Sequence, residues 1–554
     1  MDNVYDKHTS ISIALLACWA VLTMFVNTAH ASSICKREVA TVVSIQGSIE
    51  VRRASQMNWQ MASADQILCA GDMIRARLHS RAALRLRNDS MLRLDQKTSI
   101  AFPDVPNEKE AWLMDLLEGA IHIITRTPKP FKTRTPYVNA SVEGTEFYVR
   151  LEGDNAKVVV YEGRVVASNE FGSMALHDHE AVVAPKGRAP HKEIMIKPTD
   201  AVHWALYYPA VLDSLQYGQD ALIQQASESL SVGQDDEAKR KIEQLLQQDA
   251  NNSDAYALLA IIAVVQNDKE QAREYANQAV AKNPTSPVAH LALSYAQQAR
   301  FDLEAALDSV QKVIALDPRH ALAWARLAEL QMSQGDLDRA LDAARQAVTL
   351  NPSLARTQTI LGFAHLLQID TQTAKARFHR AITLDQADPM PRLGLGIALI
   401  REGDLENGRI ELEIAASLDP GNSLIRSYLG KAYFEEKRYA LSGTQFDLAK
   451  ERDPKDPTPW FYDAIQKQTQ NRPIEALRDI QRSIELNDNR AVYRSKFLLD
   501  RDEAARGSSL ARIFENLGFE RRAIVETAKS LSFDPSNHSA HRFLSDTYVN
   551  IPRH

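Results

Sequence analysis

Residues 321–352 read ALAWARLAELQMSQGDLDRALDAARQAVTLNP, an apolar helical stretch that turns back on itself and closes on Asn351-Pro352. Pro284, Pro318, Pro352, Pro420 and Pro454 all follow Asp or Asn in the same way, and the step from 284 to 318 to 352 is 34 residues. A proline just past a helix end stops the helix, so a fixed proline interval sets a fixed unit length. A helix-turn-helix unit of this size cannot bury its apolar face alone, and stacking on its neighbours does so. Units starting at 219, 253, 287, 321, 355, 389, 423 and 457 put Ala250, Pro284, Pro318, Pro352, Gln386, Pro420, Pro454 and Asp488 at one shared position. Trp324 and Trp460 then share an aromatic site, Leu259 to Leu429 an apolar site, Gly362, Gly396 and Gly430 a close helix contact, and Ala238 to Ala476 a small site. The register slips once. Pro535 lies 47 residues after Asp488, which places about 13 extra residues near 491–503; a ninth unit fits 504–537, and half a unit is expected from His538 onward.

This period and its small and large sites resemble the tetratricopeptide repeat (TPR), and the resemblance implies an all-α superhelical solenoid over 219–554 that binds protein partners and seldom catalyses. The inward positions of the first helices would line a concave groove, with Tyr295, Glu329, Phe363, Ile397, Phe461 and Ile465 as its partner-binding residues. That set is apolar and aromatic, which fits an extended or helical segment held by apolar anchors. The lysine and asparagine pattern by which some such repeats clamp a terminal carboxylate is missing.

Residues 39–196 follow a different period. Runs such as 41–51, 82–86, 147–151, 157–161 and 181–184 alternate in twos, are rich in Val, Ile, Leu and Thr, and are separated by Gly, Asn or Asp turns, which predicts a compact all-β domain. Gly47-Ser48-Ile49-Glu50-Val51, Leu68-Cys69-Ala70-Gly71-Asp72, Thr135-Pro136, Val142-Glu143-Gly144-Thr145-Glu146-Phe147 and Val160-Tyr161-Glu162-Gly163 together resemble the FecR-type periplasmic domain. The likeness covers about 150 residues of a domain placed at 32–199, and the resemblance implies bacterial envelope signalling. No cytoplasmic regulator domain or internal membrane helix is read ahead of it, so transmembrane relay is not carried over. Arg81, Arg85 and Arg87 alternate with Leu84 and Leu86, so arginine is expected on the solvent side and leucine in the core. Those three arginines form a candidate anion-binding face for cell-wall polymer or lipid headgroups. His177-Asp178-His179-Glu180 reads as a polar turn, with no third ligand nearby to complete a metal site.

Ile11 to Val26 is almost wholly apolar and is followed by Ala29-His30-Ala31, a signal-peptide pattern (1–31) with cleavage expected after Ala31. A retained anchor and lipidation at Cys18 are the alternatives. Export to the periplasm of a Gram-negative bacterium would leave Cys35 and Cys69 as the mature thiols, and an even pair in an oxidising compartment favours a disulfide closing a loop of about 35 residues. Residues 200–218, aromatic and capped by Thr199 or Asp200, read as a connector helix between the domains.

The chain has 554 residues, 45% apolar and 25% charged, with a net charge of -6, material for two or three packed units and no sign of nucleic-acid binding. It shows no phosphate-cradling loop, nucleophile elbow or His-Glu-x-x-His pattern. No catalytic residue, cofactor, metal or small-molecule substrate is therefore expected. The sequence reads as an exported envelope scaffold, with an envelope signal-relay protein as the alternative.

Overall fold

The computed structural model describes residues 35, 37–104, 112–125, 131–142, 146–193, 205–208, 220–300, 302–487, 502–533 and 537–550. The signal segment, most of the connector, Gly144 and Thr145, the insertion up to residue 501 and Pro535 lie outside them. The chain is multidomain, with a β region followed by an all-α solenoid.

Alternation builds the first region. One sheet runs, edge to edge, through His191–Glu193, Ala181–Pro185, Asn155–Glu162, Glu146–Glu152, Ala120–Ile124, Met91–Leu94, Arg81–Leu86, Glu38–Gln46 and Ile67–Cys69. The other runs through Gly172–Leu176, Val165–Asn169, Asn139–Val142, Phe131–Arg134, Trp112–Glu118, Thr98–Ala101, Met73–Ala76, Ile49–Arg52 and Gln60–Met61. Their facing sides share one core: Val42, Leu84, Leu92, Ile121, Phe147 and Val158 from the first meet Val51, Ile74, Ile100, Leu116, Phe131 and Val165 from the second. Each opposite residue points outward, and the two outward faces meet different fates, as shown below. A disulfide joins Cys35 to Cys69 across 34 residues of sequence. Reducing it should lower stability by about 3 kcal/mol in the chain-entropy picture, read as the shift in urea midpoint with and without reductant.

The solenoid takes its turns from the same 34-residue step. Asp268, Asp302, Asp336, Asp370 and Asp404 each cap the second helix of a unit, the carboxylate accepting from the backbone N–H three residues on. One residue earlier or nearby, the chain passes through the left-handed region at Gly233, Asn267, Gly335, Ile369, Gly403, Lys437 and Asn471. Gly and Asn suit that conformation, whereas Ile369, at φ 69°, is β-branched and exposed. Ile369→Gly should therefore raise stability by about 1 kcal/mol, measurable as a higher melting temperature.

The coil also touches itself. Asn267 Nδ2 donates to Arg452 O at 3.1 Å, and Lys269 lies 3.4 Å from Asp453, although these pairs are 185 and 184 residues apart. The connector is held in the same neighbourhood: Tyr208 OH meets Gln266 Nε2 at 3.4 Å and Tyr207 OH donates to Asp385 at 3.3 Å. Among the described residues no helix is long and apolar enough to cross a membrane.

Candidate functional site

Part of the outward face of the first sheet is covered by the solenoid. Val43, Ala83, Met91 and Ile124 are buried against Ile414 and Leu418, with Ile410 beside them, on the helix Leu405–Leu418. The second helix of a unit ordinarily shows its outer side to water. Counting back by 34 from Ile410 and Ile414 gives Ala376 and Arg380, then Asp342 and Gln346, then Asp308 and Lys312. Isoleucine at 410 and 414 thus replaces polar or small residues where the sheet domain docks, and their spacing of four puts them on one helix stripe.

Polar contacts around this patch follow the same rule. The position occupied by Trp324 is a donor to the carbonyl six residues earlier: Trp324 Nε1 to Pro318 O at 2.9 Å, Gln358 Nε2 to Pro352 O at 2.9 Å, and His290 Nε2 to Pro284 O at 2.8 Å. Arg426 keeps this bond, Nε to Pro420 O at 3.2 Å, and has donors to spare. Its Nη1 and Nη2 donate to both carboxylate oxygens of Glu146 at 2.8 and 2.7 Å, across 280 residues of sequence. Arg392 takes the same position one unit earlier and donates from Nη2 to Val43 O at 3.0 Å. Val43 sits at a register shift in its strand, between Val42 and Ser44, which frees that carbonyl. Gln386 stands where proline recurs in other units; its Oε1 accepts from Ile45 N–H at 2.9 Å and its backbone O from Ser44 Oγ at 2.8 Å. A proline could not offer that side-chain acceptor.

Glu146 is the centre of the seat. His122 Nε2 lies 3.1 Å from Glu146 Oε1, and Glu146, His122 and Arg426 are all buried. Burial alone would raise the Glu146 carboxyl, but the Arg426 charge and the His122 N–H outweigh it and hold the group well below the usual carboxylate range. Burial pushes His122 down, against the pull of Glu146. On the other flank, Arg81 Nε donates to Gln46 at 2.9 Å and its Nη2 to Ser231 O at 2.9 Å, at the C-terminus of the helix Ala221–Ser231. Its Nη1 reaches Leu206 O in the connector at 3.3 Å.

Two expectations are corrected. Arg81 is 1% exposed, so it is no part of a solvent-facing arginine stripe; the alternation was read properly, but the outward side here faces the solenoid. Arg85 is half-buried and Arg87 exposed, which reduces the candidate anion face to those two. Of the groove residues, Glu329, Phe363, Ile397 and Phe461 are buried, while Tyr295 and Ile465 are half-buried. Phe363 packs against Phe378 of its own unit with ring centroids 5.0 Å apart, and Glu329 is held by Arg326 at 2.9 Å and Arg356 at 2.8 Å. These side chains serve helix packing, which an inward position cannot be distinguished from on period alone. His177 to Glu180 forms a turn: Asp178 accepts from Gly163 N–H at 2.6 Å, and His179 has φ 64°.

Asp388 adds a pH-sensitive group beside the connector. It caps the helix Pro389–Arg401 through Oδ1, accepting from Met390 N–H at 2.9 Å, while Oδ2 has no hydrogen-bond partner among the described residues. Burial, then the neighbouring Asp385, pushes its carboxyl up to about 7. The folded state therefore holds a proton that the unfolded chain, near 4, releases, so stability falls as pH rises from about 4 to 7 and the whole penalty stands above 7. Asp388→Asn keeps the cap and should flatten this slope, leaving the variant more stable than the parent in urea melts at pH 8.

The FecR protein profile matches residues 72–166, and tetratricopeptide repeat profiles match 230–294, 298–359 and 393–457. No curated protein matches the chain significantly in sequence. Among solved structures, the Cut9–Hcn1 hetero-tetramer of APC/C is similar at 16% identity and TM-score 0.48, covering 60% of this chain and 70% of that one. A putative anti-sigma factor from Parabacteroides distasonis is similar at 20% identity and TM-score 0.22, covering 25% and 67%. A TPR protein from Thermus thermophilus is similar at 20% identity and TM-score 0.30, covering 33% and 99%. The sheet that Glu146 belongs to and the helices that seat it are therefore parts of a FecR domain followed by TPR repeats, two modules of interaction and regulation joined in one chain.

Proposed function

We propose that this chain is an exported, non-catalytic scaffold of the bacterial envelope, in which the solenoid holds the FecR domain at a fixed angle and both modules engage protein partners. The seat built by Gln386, Arg392 and Arg426 supports this reading, because it commits the part of one sheet face around Val43 and Glu146 to the solenoid and leaves the other sheet outward. Envelope residence is supported by the FecR match and by the Cys35–Cys69 bond, which persists in oxidising compartments. On the solenoid, Tyr295 and Ile465 keep side-chain surface for a partner; on the FecR domain, Arg85 and Arg87 remain for an anionic wall or membrane component.

The reading is tested in cells. Trapping with an alkylating agent should find Cys35 and Cys69 oxidised and the mature N-terminus at Ser32, and a photoreactive residue at the exposed position 117 or at 465 should form one dominant covalent complex. Freely alkylated thiols with no complex from either position would refute it. The FecR match also favours a second reading, an anti-sigma-like regulator that relays a receptor's state. Deletion would then change transcription of a defined operon, whereas loss of a scaffold alone would not.

A further inference from the structure

The remaining question is where the FecR domain meets its partner, and the inference here rests on its being a docking module. The open ends of both sheets lie together in the chain: Gln60–Met61 is the terminal strand of one and Ile67–Cys69 of the other. Ala62 N–H donates back to Ile49 O at 2.8 Å, and Met61 faces Glu50 across the ladder. Backbone groups alternate sides along a strand, so Met61 turns its own N–H and C=O to the open edge. The side chains here are apolar and bare: Met57 is 93% exposed, Met61 63% and Ile67 41%. Beside them Trp59 is covered by the guanidiniums of Arg75 at 4.0 Å and Arg52 at 5.4 Å. Tryptophan, arginine and methionine are the residues enriched where proteins bind each other. Natural edges are ordinarily blunted by shortness and charge, and a short strand alone would fit that; two exposed methionines do not.

Charge selects the occupant. Arg75 and Arg77 share Glu50 at 2.6 and 2.7 Å, Arg53 pairs with Asp72 at 2.7 Å, and Arg52 contacts Met73 Sδ rather than a carboxylate. Four cations (Arg52, Arg53, Arg75, Arg77) less three anions (Glu50, Asp65, Asp72) leave a local surplus of one positive charge. A second copy of this chain, paired edge to edge, would set that surplus against itself. We infer that an extended, acidic segment of a protein partner adds as a strand beside Gln60–Met61, its apolar side chains resting on Met57 and Met61 and its carboxylates on Arg52 and Arg75.

Fluorescence anisotropy of the full chain with a labelled (Glu-Val)4 peptide and its (Lys-Val)4 counterpart tests this. The acidic peptide should bind at least about tenfold tighter, and Met61→Pro should weaken it by a similar factor, because proline removes an outward N–H that an edge strand does not use internally. Arg52→Glu should do the same without touching the backbone. Equal binding of the two peptides, binding unchanged in a Met61→Pro protein with the parent melting temperature, or no binding of the acidic peptide up to about 1 mM would overturn the inference. If the peptides fail while position 117 still crosslinks in cells, the edge is excluded and the docking module stands.

Discussion

Arg426→Met should lower the stability of the chain by about 3–5 kcal/mol, the range for breaking a buried ion pair and stranding one charge. Glu146 would then keep a buried carboxylate without its guanidinium partner, the His122 N–H remaining at 3.1 Å. Glu146→Gln should cost a comparable amount, since the Arg426 guanidinium would be left with the Pro420 carbonyl and Gln445. The double variant is expected to recover at least half of the sum, because neither charge then remains buried. Urea unfolding of the four proteins checks this, and strict additivity would show that the pair does not hold the domains together. The pH dependence carries its own sign. Glu146 is depressed, so its contribution is present above the unfolded value near 4 and lost as pH falls further; His122 is depressed too, so acid below about 6.5 also favours the open chain. Glu146→Gln should remove the first of these losses and leave an acid limb set by other groups.

Gly394→Ala should destabilise by about 2 kcal/mol, although alanine in a helix ordinarily gains about 1 over glycine. Phe378 explains the reversal. Its ring lies fully buried between the first helices of two units: a Cβ on Gly362 would come within 2.6 Å of it, and one on Gly394 closer still. With Phe363 edge-on at 5.0 Å, the ring has nowhere to move. Phe378→Ala should cost about 3–5 kcal/mol by leaving a cavity, while Phe378→Leu combined with Gly394→Ala should come out better than the separate effects predict. Calorimetric melting of the set decides it; a neutral Gly394→Ala would mean that the ring shifts freely.

The period carried the solenoid because most units repeat the same local chemistry: an Asp cap, a left-handed turn residue, a small site and a proline. A compact β domain was legible from alternation, yet alternation separates two faces without saying what covers either, and so Arg81 was assigned to water when it lies under the solenoid. The groove was misplaced for a related reason. A first helix that is packed on nearly all sides has no face that period alone can mark as free, and Phe363 and Ile397 sit on such helices. The seat itself did leave a trace in the chain. Gln386 interrupts the proline row, Arg392 and Arg426 replace tryptophan, and Ile410 and Ile414 replace polar or small residues, all within three consecutive units. Those departures read as wear in the repeat until their partners, Ile45, Val43 and Glu146, are seen beside them. Glu146 lies in the most distinctive FecR segment, but a motif gives no hint that its carboxylate reaches a helix 280 residues away.

The contact of Asn267 and Lys269 with Arg452 and Asp453 makes the units between them something other than a string. A stack whose members touch only their neighbours unravels from its ends, one unit at a time, and its total stability is close to a sum. Here the loop is tied shut across 185 residues, so the units it encloses cannot separate without breaking a contact between members five units apart. Pulled from its two ends, such a chain should resist until the tie gives way and then release those units together, in one large extension instead of a staircase of equal steps.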